Sequence, residues 1–495
     1  MSKAVVIGSG FGGLALAIRL QSAGRQVTLL EQRERPGGRA YVYEDAGFTF
    51  DAGPTVITDP SAIEELFALS GRTMSDYVEL LPVTPFYHLL WEDGTSFDYV
   101  NDQAELDRQI AALAPADVGG YRKFLTYSQA VFEEGYRKLG HVAFLDLWSM
   151  LRAAPDLARL RAWNSVYDTV ARYVEEPHLR QALSFHTLLV GGSPFASSSI
   201  YTLIHALERK WGVWFPRGGT GALVRGLAKL FTDLGGELRL STPVAEIIVE
   251  EGRAAGVRTT GGEVIRAELV ASNADVVHTY EQLLGGTARG RRAAQRLKAM
   301  RHSMSLFVVY FGLRRRHDHL RHHTILFGPK YRELVRAICG AEPLREDFSL
   351  YLHAPSVTDD SLAPPGCSAY YALSPVPNLR QPIDWHVEGP IYAQKILSAL
   401  EARVLPGLKA DLVTMRTFTP NDFASELNAH LGSAFSLEPI LTQSAYFRVH
   451  NRDDVIPNLY FVGAGAHPGA GVPGVIGSAK ATAGVIAADF ARVAA

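Results

Sequence analysis

KAVVIGSGFGGLALAIRLQSAGRQVTLLE, residues 3–31, is the stretch on which the fold turns. Residues 4–8 (AVVIG) are apolar without alternation, which reads as a parallel strand buried on both faces. Gly8, Gly10 and Gly13 follow in G-S-G-F-G-G, with Phe11 between the last two. Ala17 and Gly24 lie on the apolar helix that comes next, and a second strand, QVTLLE, closes on Glu31. Strand, glycines, helix and terminal acid stand in the order of a dinucleotide-binding βαβ unit. In such a unit the glycines make the tight turn, admit a pyrophosphate and let helix pack on strand, while the acid binds a ribose hydroxyl. Lys3 ahead of an apolar run also suits a secretory signal, but glycines inside the supposed core and the lack of a cleavage-like site argue against one.

The other half of the ligand site stands at the far end of the chain, in NLYFVGAGAHPGAGVPGVIGS, residues 458–478. An apolar strand, Leu459–Val462, runs into six glycines between Gly463 and Gly477. Glycine at this density lets backbone come close to a flat ligand. Pro473 suits the first turn of a helix, where its missing N–H costs nothing. That helix, expected from Val475 to about Phe490, would aim its positive end at the ligand, which suits a flavin whose reduced form is anionic.

Arg35-Pro36-Gly37-Gly38-Arg39 follows the second strand directly, and Gly47-Phe48-Thr49-Phe50-Asp51-Ala52-Gly53-Pro54-Thr55 comes next. On these residues the chain resembles the flavin amine oxidase superfamily, and within it the bacterial-type phytoene desaturases. The C-terminal run matches their signature at Asn458, Tyr460, Phe461, Gly463, Ala464, Gly465, Ala466, His467, Pro468, Gly469, Ala470, Gly471, Val472 and Ser478, and the similarity continues through 184–224. The resemblance implies FAD as cofactor. It places Gly37, Gly38 and Arg39 along the diphosphate and Gly53, Pro54 and Thr55 near the isoalloxazine. It also brings the backbone at Val244 to the adenine, and Gly463, Gly465 and Val472 to the flavin. It implies phytoene as substrate, desaturated through phytofluene, ζ-carotene and neurosporene to lycopene, with oxygen or a quinone reoxidising the flavin. A carotene isomerase or a diapophytoene desaturase is the alternative within the group. An amine oxidase fits less well, because the substrate region offers few residues suited to an amine. Rab escort and GDP-dissociation inhibitor proteins share the fold and bind prenyl lipid without catalysis. They have no need of flavin motifs, so the intact Gly8, Gly10, Gly13, Glu31 and 463–477 favour an enzyme.

Composition sets independent limits. The 495 residues are too many for one simple core. The expected fold is α/β, a discontinuous Rossmann-like FAD-binding domain interleaved with an α+β substrate- and membrane-binding domain. Residues 1–75, 212–275 and 455–495 form the first, and 76–211 and 276–454 the second. Charged residues are 20% and the net charge is −2, which gives no reason to expect nucleic-acid binding. Cys339 and Cys367 sit in no metal or redox spacing, as in a cytosolic protein with reduced thiols. No uninterrupted apolar run approaches the ~18 residues of a spanning helix. An insoluble carotene is then taken from a membrane surface, and the protein is expected to be cytoplasmic and peripheral on the inner face of the cell membrane. Oligomeric state is not legible. Helical spacing is expected over Tyr121–Tyr136, Phe144–Leu151, Leu179–Leu189 and Ala222–Leu234, strands at 237–240, 244–249 and 268–272, and a hairpin turn at Gly261-Gly262.

Several residues read two ways. His467, inside the glycine run, either touches flavin or substrate or fixes the turn. Arg152, after the apolar segment Phe144–Leu151, either faces a nonpolar cavity, where it is a candidate catalytic residue with His467, or caps a surface helix. Trp211–Pro216 either lines a substrate tunnel or packs between domains. Arg314–His323 reads as a solvated loop or a lipid-headgroup contact. No metal is expected there, because its histidines have no paired ligands elsewhere. Flavin accepts a hydride equivalent, and the best donor in a hydrocarbon is an allylic C–H. Loss of a proton from the next carbon then completes the double bond, so neither a nucleophile triad nor a metal cluster is required. Arg152 is a poor base, because guanidinium stays protonated.

Overall fold

The computed structural model describes residues 2–340, 342, 344 and 349–494. Its first sheet has five parallel strands in the order Leu459–Phe461, Leu269–Ser272, Lys3–Ile7, Gln26–Leu30 and Glu237–Arg239. Lys3–Ile7 takes the centre because all but its first residue are apolar and buried, leaving no face for water. Apart from Lys3–Ile7 beside Gln26–Leu30, each neighbouring pair joins strands about two hundred or more residues apart, so the sheet is assembled from distant parts of the chain.

The helix Phe11–Ser22 has no polar stripe; nine of its twelve residues are buried. It packs between the C-terminal helix Val472–Ala494 and the helix Thr220–Asp233. Its start presses on the end of the first strand, where a Cβ on Gly13 would lie 1.9 Å from the Gly8 carbonyl oxygen. Thr220–Asp233 is capped from a distance. The Asp51 carboxylate accepts from the Thr220 and Gly221 amides at 2.9 and 3.1 Å, satisfying donors that the helix leaves open. Burial pushes the Asp51 carboxyl up to about 6.

The second sheet has seven strands: Leu412–Phe418, Ser305–Leu313, Ser368–Val376, Leu350–His353, His323–Leu326, Tyr87–Leu90 and Ser96–Tyr99 in spatial order. Every neighbouring pair is antiparallel except His323–Leu326 beside Tyr87–Leu90. All nine residues of Ser305–Leu313 are buried, so this strand reads as a continuous apolar run. The helix Trp385–Arg403 covers one face through Phe307, Val309 and Phe311. Helical segments between 103 and 211 share a core with Leu306, Val308 and Tyr310 on the other.

The strands expected at 244–249 and 268–272 are found as Val244–Glu250 and Leu269–Ser272. The Gly261-Gly262 turn joins Val264–Arg266 to an unanticipated strand, Arg253–Thr259. That strand turns back from Val244–Glu250 through Glu251 and Gly252, both at positive φ. The helix expected over 144–151 begins only at Leu147, where Asp146 accepts from the Ser149 amide. Leu179–Leu189 is broken into Pro177–Ala182 and a 3-10 turn, Phe185–Val190. Residues 276–298 differ from the expected partition. Val276, Tyr280, Leu283 and Leu297 share a core with Val5, Ile7 and Leu459 of the first sheet. Trp211–Pro216 is packing between elements. Val213–Pro216 pairs with Leu80–Val83, and Trp211 lies against Phe132 and Tyr136.

The Gly13–Gly8 contact yields a paired expectation. Gly13→Ala forces backbone apart and should cost about 3 kcal/mol of stability. Gly484→Ala, on an exposed helix face with nothing within 4 Å of the new methyl, should stabilise by about 0.5–1 kcal/mol. Urea unfolding of the cofactor-free protein reads both, and equal midpoints for the two variants would contradict the packing described.

Candidate active site

A cavity of about 540 Å³ is lined by both sheets and the helices between them. At one end stand Gly8, Gly10, Phe11 and Glu31, the loop Gly37-Gly38-Arg39, and Thr242 with Val244. Gly53, Pro54 and Thr55 line it too, as do His467, Val472 and the first turn of the C-terminal helix. Beyond them the wall is apolar, with Leu306, Val308, Leu373, Leu188, Leu203 and Leu207 among its residues.

The first end is a cradle. Gly8 (φ +90°) and Gly37 (φ +129°) hold conformations that a side chain rarely adopts. The helix Phe11–Ser22 starts here without an acidic residue in its first turn, so its open amides carry an uncompensated positive end. Arg39 lies on the wall, and its buried Nε has no hydrogen-bond partner. Burial lowers the Arg39 guanidinium below its ordinary value, with Asp275 acting the other way. A buried cation with an open donor beside a helix N-terminus fits a diphosphate. Glu31 accepts from the Ser9 amide, the Ser9 hydroxyl and the Arg33 amide at 2.9, 2.6 and 3.0 Å. A carboxylate has about four lone-pair positions, which leaves one for a ribose hydroxyl.

Three expected cofactor contacts stand one layer behind the wall. Gly13, Gly463 and Gly465 do not line the cavity; they are glycine because backbone and side chains crowd them. A Cβ on Gly463 would lie 2.3 Å from Asn273 Oδ1, and one on Gly465 would lie 2.5 Å from Val276 Cγ1. Asn273, not anticipated from sequence, ties the layer together, donating from Nδ2 to the Gly8 carbonyl at 3.3 Å. It follows the strand Leu269–Ser272 directly, and a polar residue at the end of a parallel strand was the available signal.

Arg152 is corrected as a cavity residue. It lies on the exposed face of the helix Leu147–Arg159, while Met150 and Leu157 of that helix reach the cavity. His467 does line the cavity, edge-on to Phe144 at 5.0 Å between ring centres. The reading of Arg314–His323 as a solvated loop is overturned in part. His317, His322 and His323 are buried, and His323 begins a strand. Arg315 and Arg316 are engaged by Asp411 and Asp318. His322 and His323 also meet His353, the partner the sequence did not reveal. One nitrogen of each lies within 4.8 Å of the others, and so do ligand atoms of His186, His205 and Glu208. In the first trio hydrogen bonds already engage His322 with Thr358 and His353, and His323 Nδ1 with the Tyr351 hydroxyl at 2.6 Å. Tyr351 and Tyr371 in turn bond the Thr55 hydroxyl at 3.0 and 2.7 Å, linking the second sheet to the cavity.

The parallel sheet, the glycine cradle and the interleaved second sheet define a flavin-binding oxidoreductase. The chain belongs to the flavin-containing amine oxidoreductase family, whose profile matches residues 11–487. It is 62% identical over 491 residues to a protein of Pseudescherichia vulneris named phytoene desaturase (lycopene-forming), covering 99% of this chain and 100% of that one. To the protein of the same name from Pantoea ananas it is 63% identical over 491 residues, with 99% and 100% covered. A solved structure of putrescine oxidase bound to putrescine superposes with a TM-score of 0.63 at 16% identity, covering 98% and 99% of the two chains, a likeness of fold alone.

Two outcomes follow from this geometry. A Cβ at Gly10 would lie 3.1 Å from Asn273 Nδ2, a side-chain end that a small shift relieves, and no closer to backbone than Gly37 O at 3.7 Å. Gly10→Val should therefore fold and lose its flavin, read as loss of yellow colour; undiminished binding would remove the cradle from this place. The second outcome concerns acid. Burial holds His322 at about 3 and His467 at about 4, and His323, His353 and His205 well below their ordinary value. In the unfolded chain each takes a proton below about pH 6.5, so stability is complete above that pH and falls as pH drops toward about 4. Urea midpoints measured at about pH 7.5 and about pH 5 should differ in that direction.

Proposed function

We propose that the protein is an FAD-dependent desaturase that takes phytoene to lycopene by successive desaturations at a membrane surface. The observation that carries this reading is the continuity of the cavity, which begins in a dinucleotide cradle and continues between apolar walls. Apolar walls suit a hydrocarbon and supply little to recognise an amine. The curated relatives named above bear the same activity in their names.

Gly10 and Gly37 would admit the diphosphate, Arg39 would meet its charge, Glu31 the ribose, and Thr242 and Val244 the adenine. The N-terminus of Val472–Ala494 would face the flavin ring opposite Gly53-Pro54-Thr55. Bound FAD supplies a two-electron, hydride-accepting oxidant, regenerated by oxygen or a quinone. The protein supplies alignment and a dry passage. Tyr351 and Tyr371 hold Thr55 by their hydroxyls, so the wall beside the ring is fixed from the second sheet. Residues 1–75, 212–275 and 455–495 serve the cofactor and 76–211 and 276–454 the substrate, with 276–298 packed on the cofactor side.

The route to the membrane is the helix Leu147–Arg159. Met150 and Leu157 line the cavity, while Leu147, Trp148 and Leu151 are half or more exposed, with Phe447 nearby in the chain segment the helix touches. Among the described residues no helix is long and apolar enough to cross a membrane. A patch of this kind inserts into one leaflet. Arg152 on the same exposed face suits a lipid phosphate. We place the protein on the cytoplasmic face of the cell membrane.

Incubation with FAD and phytoene in phosphatidylcholine liposomes, read by absorption, should yield lycopene; no consumption of phytoene would overturn the reading. Trp148→Glu should bind FAD normally, pellet less with liposomes and turn over less of the embedded substrate. Arg152→Ala should keep its flavin and its rate on detergent-dispersed phytoene, losing only affinity for anionic vesicles. Full vesicle binding by Trp148→Glu would move the membrane contact elsewhere.

A further inference from the structure

His322, His323 and His353 come together in the second sheet. His353 is paired directly across from His323, and His322 stands one residue before that strand. All three are buried. Phe215 packs against His322 and His353 at 4.6 and 5.5 Å between ring centres, and Tyr371 against His353 at 4.6 Å, so the imidazoles are enclosed by aromatic rings. The expectation of no metal in Arg314–His323 rested on histidines without a paired ligand elsewhere in the chain. His353 is that ligand.

Hydrogen bonds fix what each ring presents. The Tyr371 hydroxyl donates to the Gly53 carbonyl at 3.3 Å. With that proton committed, Thr55 donates to Tyr371, Tyr351 to Thr55, and His323 Nδ1–H to Tyr351, at 2.7, 3.0 and 2.6 Å. A neutral imidazole has one N–H, so His323 Nε2 is a bare lone pair. It is buried and has no hydrogen-bond partner. His322 turns Nδ1 to the Thr358 hydroxyl at 2.6 Å and Nε2 to His353 Nε2 at 3.0 Å. A single proton shared by the last two would satisfy that pair, but no donor reaches His323 Nε2. A buried acceptor left open is costly.

A cation satisfies all three rings at once. One nitrogen of each lies within 4.8 Å of the others. Nitrogens about 2.0–2.1 Å from a tetrahedral zinc stand roughly 3.3–3.4 Å apart, with their ring centres roughly 5 Å apart. Here the ring centres are 4.4, 4.8 and 5.6 Å apart. Burial keeps all three rings neutral, which is the ligating form. Hydroxyl partners on Nδ1, such as Thr358 and Tyr351, orient a ligating imidazole. His186, His205 and Glu208 also converge, but both His205 nitrogens are engaged, Nε2 with the Leu183 carbonyl and Nδ1 with the Tyr99 hydroxyl, each at 2.9 Å. We propose that His322, His323 and His353 hold one zinc ion through their Nε2 atoms, with a water as fourth ligand. Water on zinc ionises near pH 7, which lowers the charge the site has to bury. The ion enters as the chain folds. It ties two paired strands together and, through His323, Tyr351 and Thr55, braces the cavity wall.

The test uses full-length, FAD-loaded protein produced in zinc-supplemented medium and desalted before elemental analysis, a readout that needs no substrate. Wild type should retain about one zinc per chain, and X-ray absorption at the zinc edge should show three imidazole nitrogens at about 2.0–2.1 Å. His353→Ala and His323→Ala should keep their yellow colour and retain at least about tenfold less zinc, in line with the loss of one ligand in three. His186→Asn should retain as much as wild type. Wild type without zinc would overturn the proposal. Equal zinc in His353→Ala and wild type would place the ion elsewhere and overturn it too. If neither alanine variant folds, a wild-type absorption spectrum with fewer than three imidazoles overturns it on its own.

Discussion

Backbone against backbone at the mouth of the first helix is the contact on which the rest depends. Gly13 meets the Gly8 carbonyl, Gly12 meets the Cα of Gly463, and Asn273 stands among all of them. Segments around residues 8–13, 273 and 463 are held at one point because the glycines leave room there for backbone and for the Asn273 side chain. A helix brought this close to the end of its strand turns its open amides toward the same space. The contact that closes the first sheet therefore also makes the cradle. Fold and cofactor site are one packing solution.

A polarity gradient follows from it. The cradle end concentrates what a diphosphate and a ribose need, a helix N-terminus, Arg39 with an open donor, and Glu31 with a spare lone pair. Beyond Thr55 these groups give way to leucine, valine and aromatic side chains on two walls. Polar atoms there are tied to one another, Thr55 to Tyr351 and Tyr371, Tyr351 to His323, and His322 to His353. Buried polar groups are costly unless paired, and these are paired within the second sheet. The network stiffens the wall without offering hydrogen bonds to whatever occupies the passage.

What was legible in the sequence was governed by local rules. The βαβ fingerprint and the proline-started C-terminal helix each depend on neighbours in the chain; the first forms strand, turn and helix as read, and the second, expected from Val475, begins at Val472 and runs to Ala494. Residues whose setting depends on distant partners were not legible. His323 read as loop because the strand it begins is made by pairing with Leu350–His353 and Tyr87–Leu90. Arg152 follows an apolar stretch, but the helix starts at Leu147, so the phase of its faces could not be set from Phe144. Gly463 and Gly465 read as ligand contacts, since a glycine kept for a neighbouring side chain looks the same as one kept for a cofactor. Asp51 caps a helix 169 residues further along the chain, and no local pattern announces it.

The exposed apolar helix and the dry passage are linked by a single requirement. A hydrocarbon that never enters water must move from bilayer to active site through continuous apolar contact. Such a path needs an element with one face in each environment. Leu147–Arg159 is built that way, with Met150 and Leu157 turned to the cavity and Leu147, Trp148 and Leu151 turned out. Spacing of three and seven residues places each set on its own side of the helix. Hydrogen bonds cannot select among carotenes, which have no polar atoms. Discrimination must come from the shape and length of the passage. A largely apolar wall meets that demand, because it leaves the chain free to slide until its shape stops it.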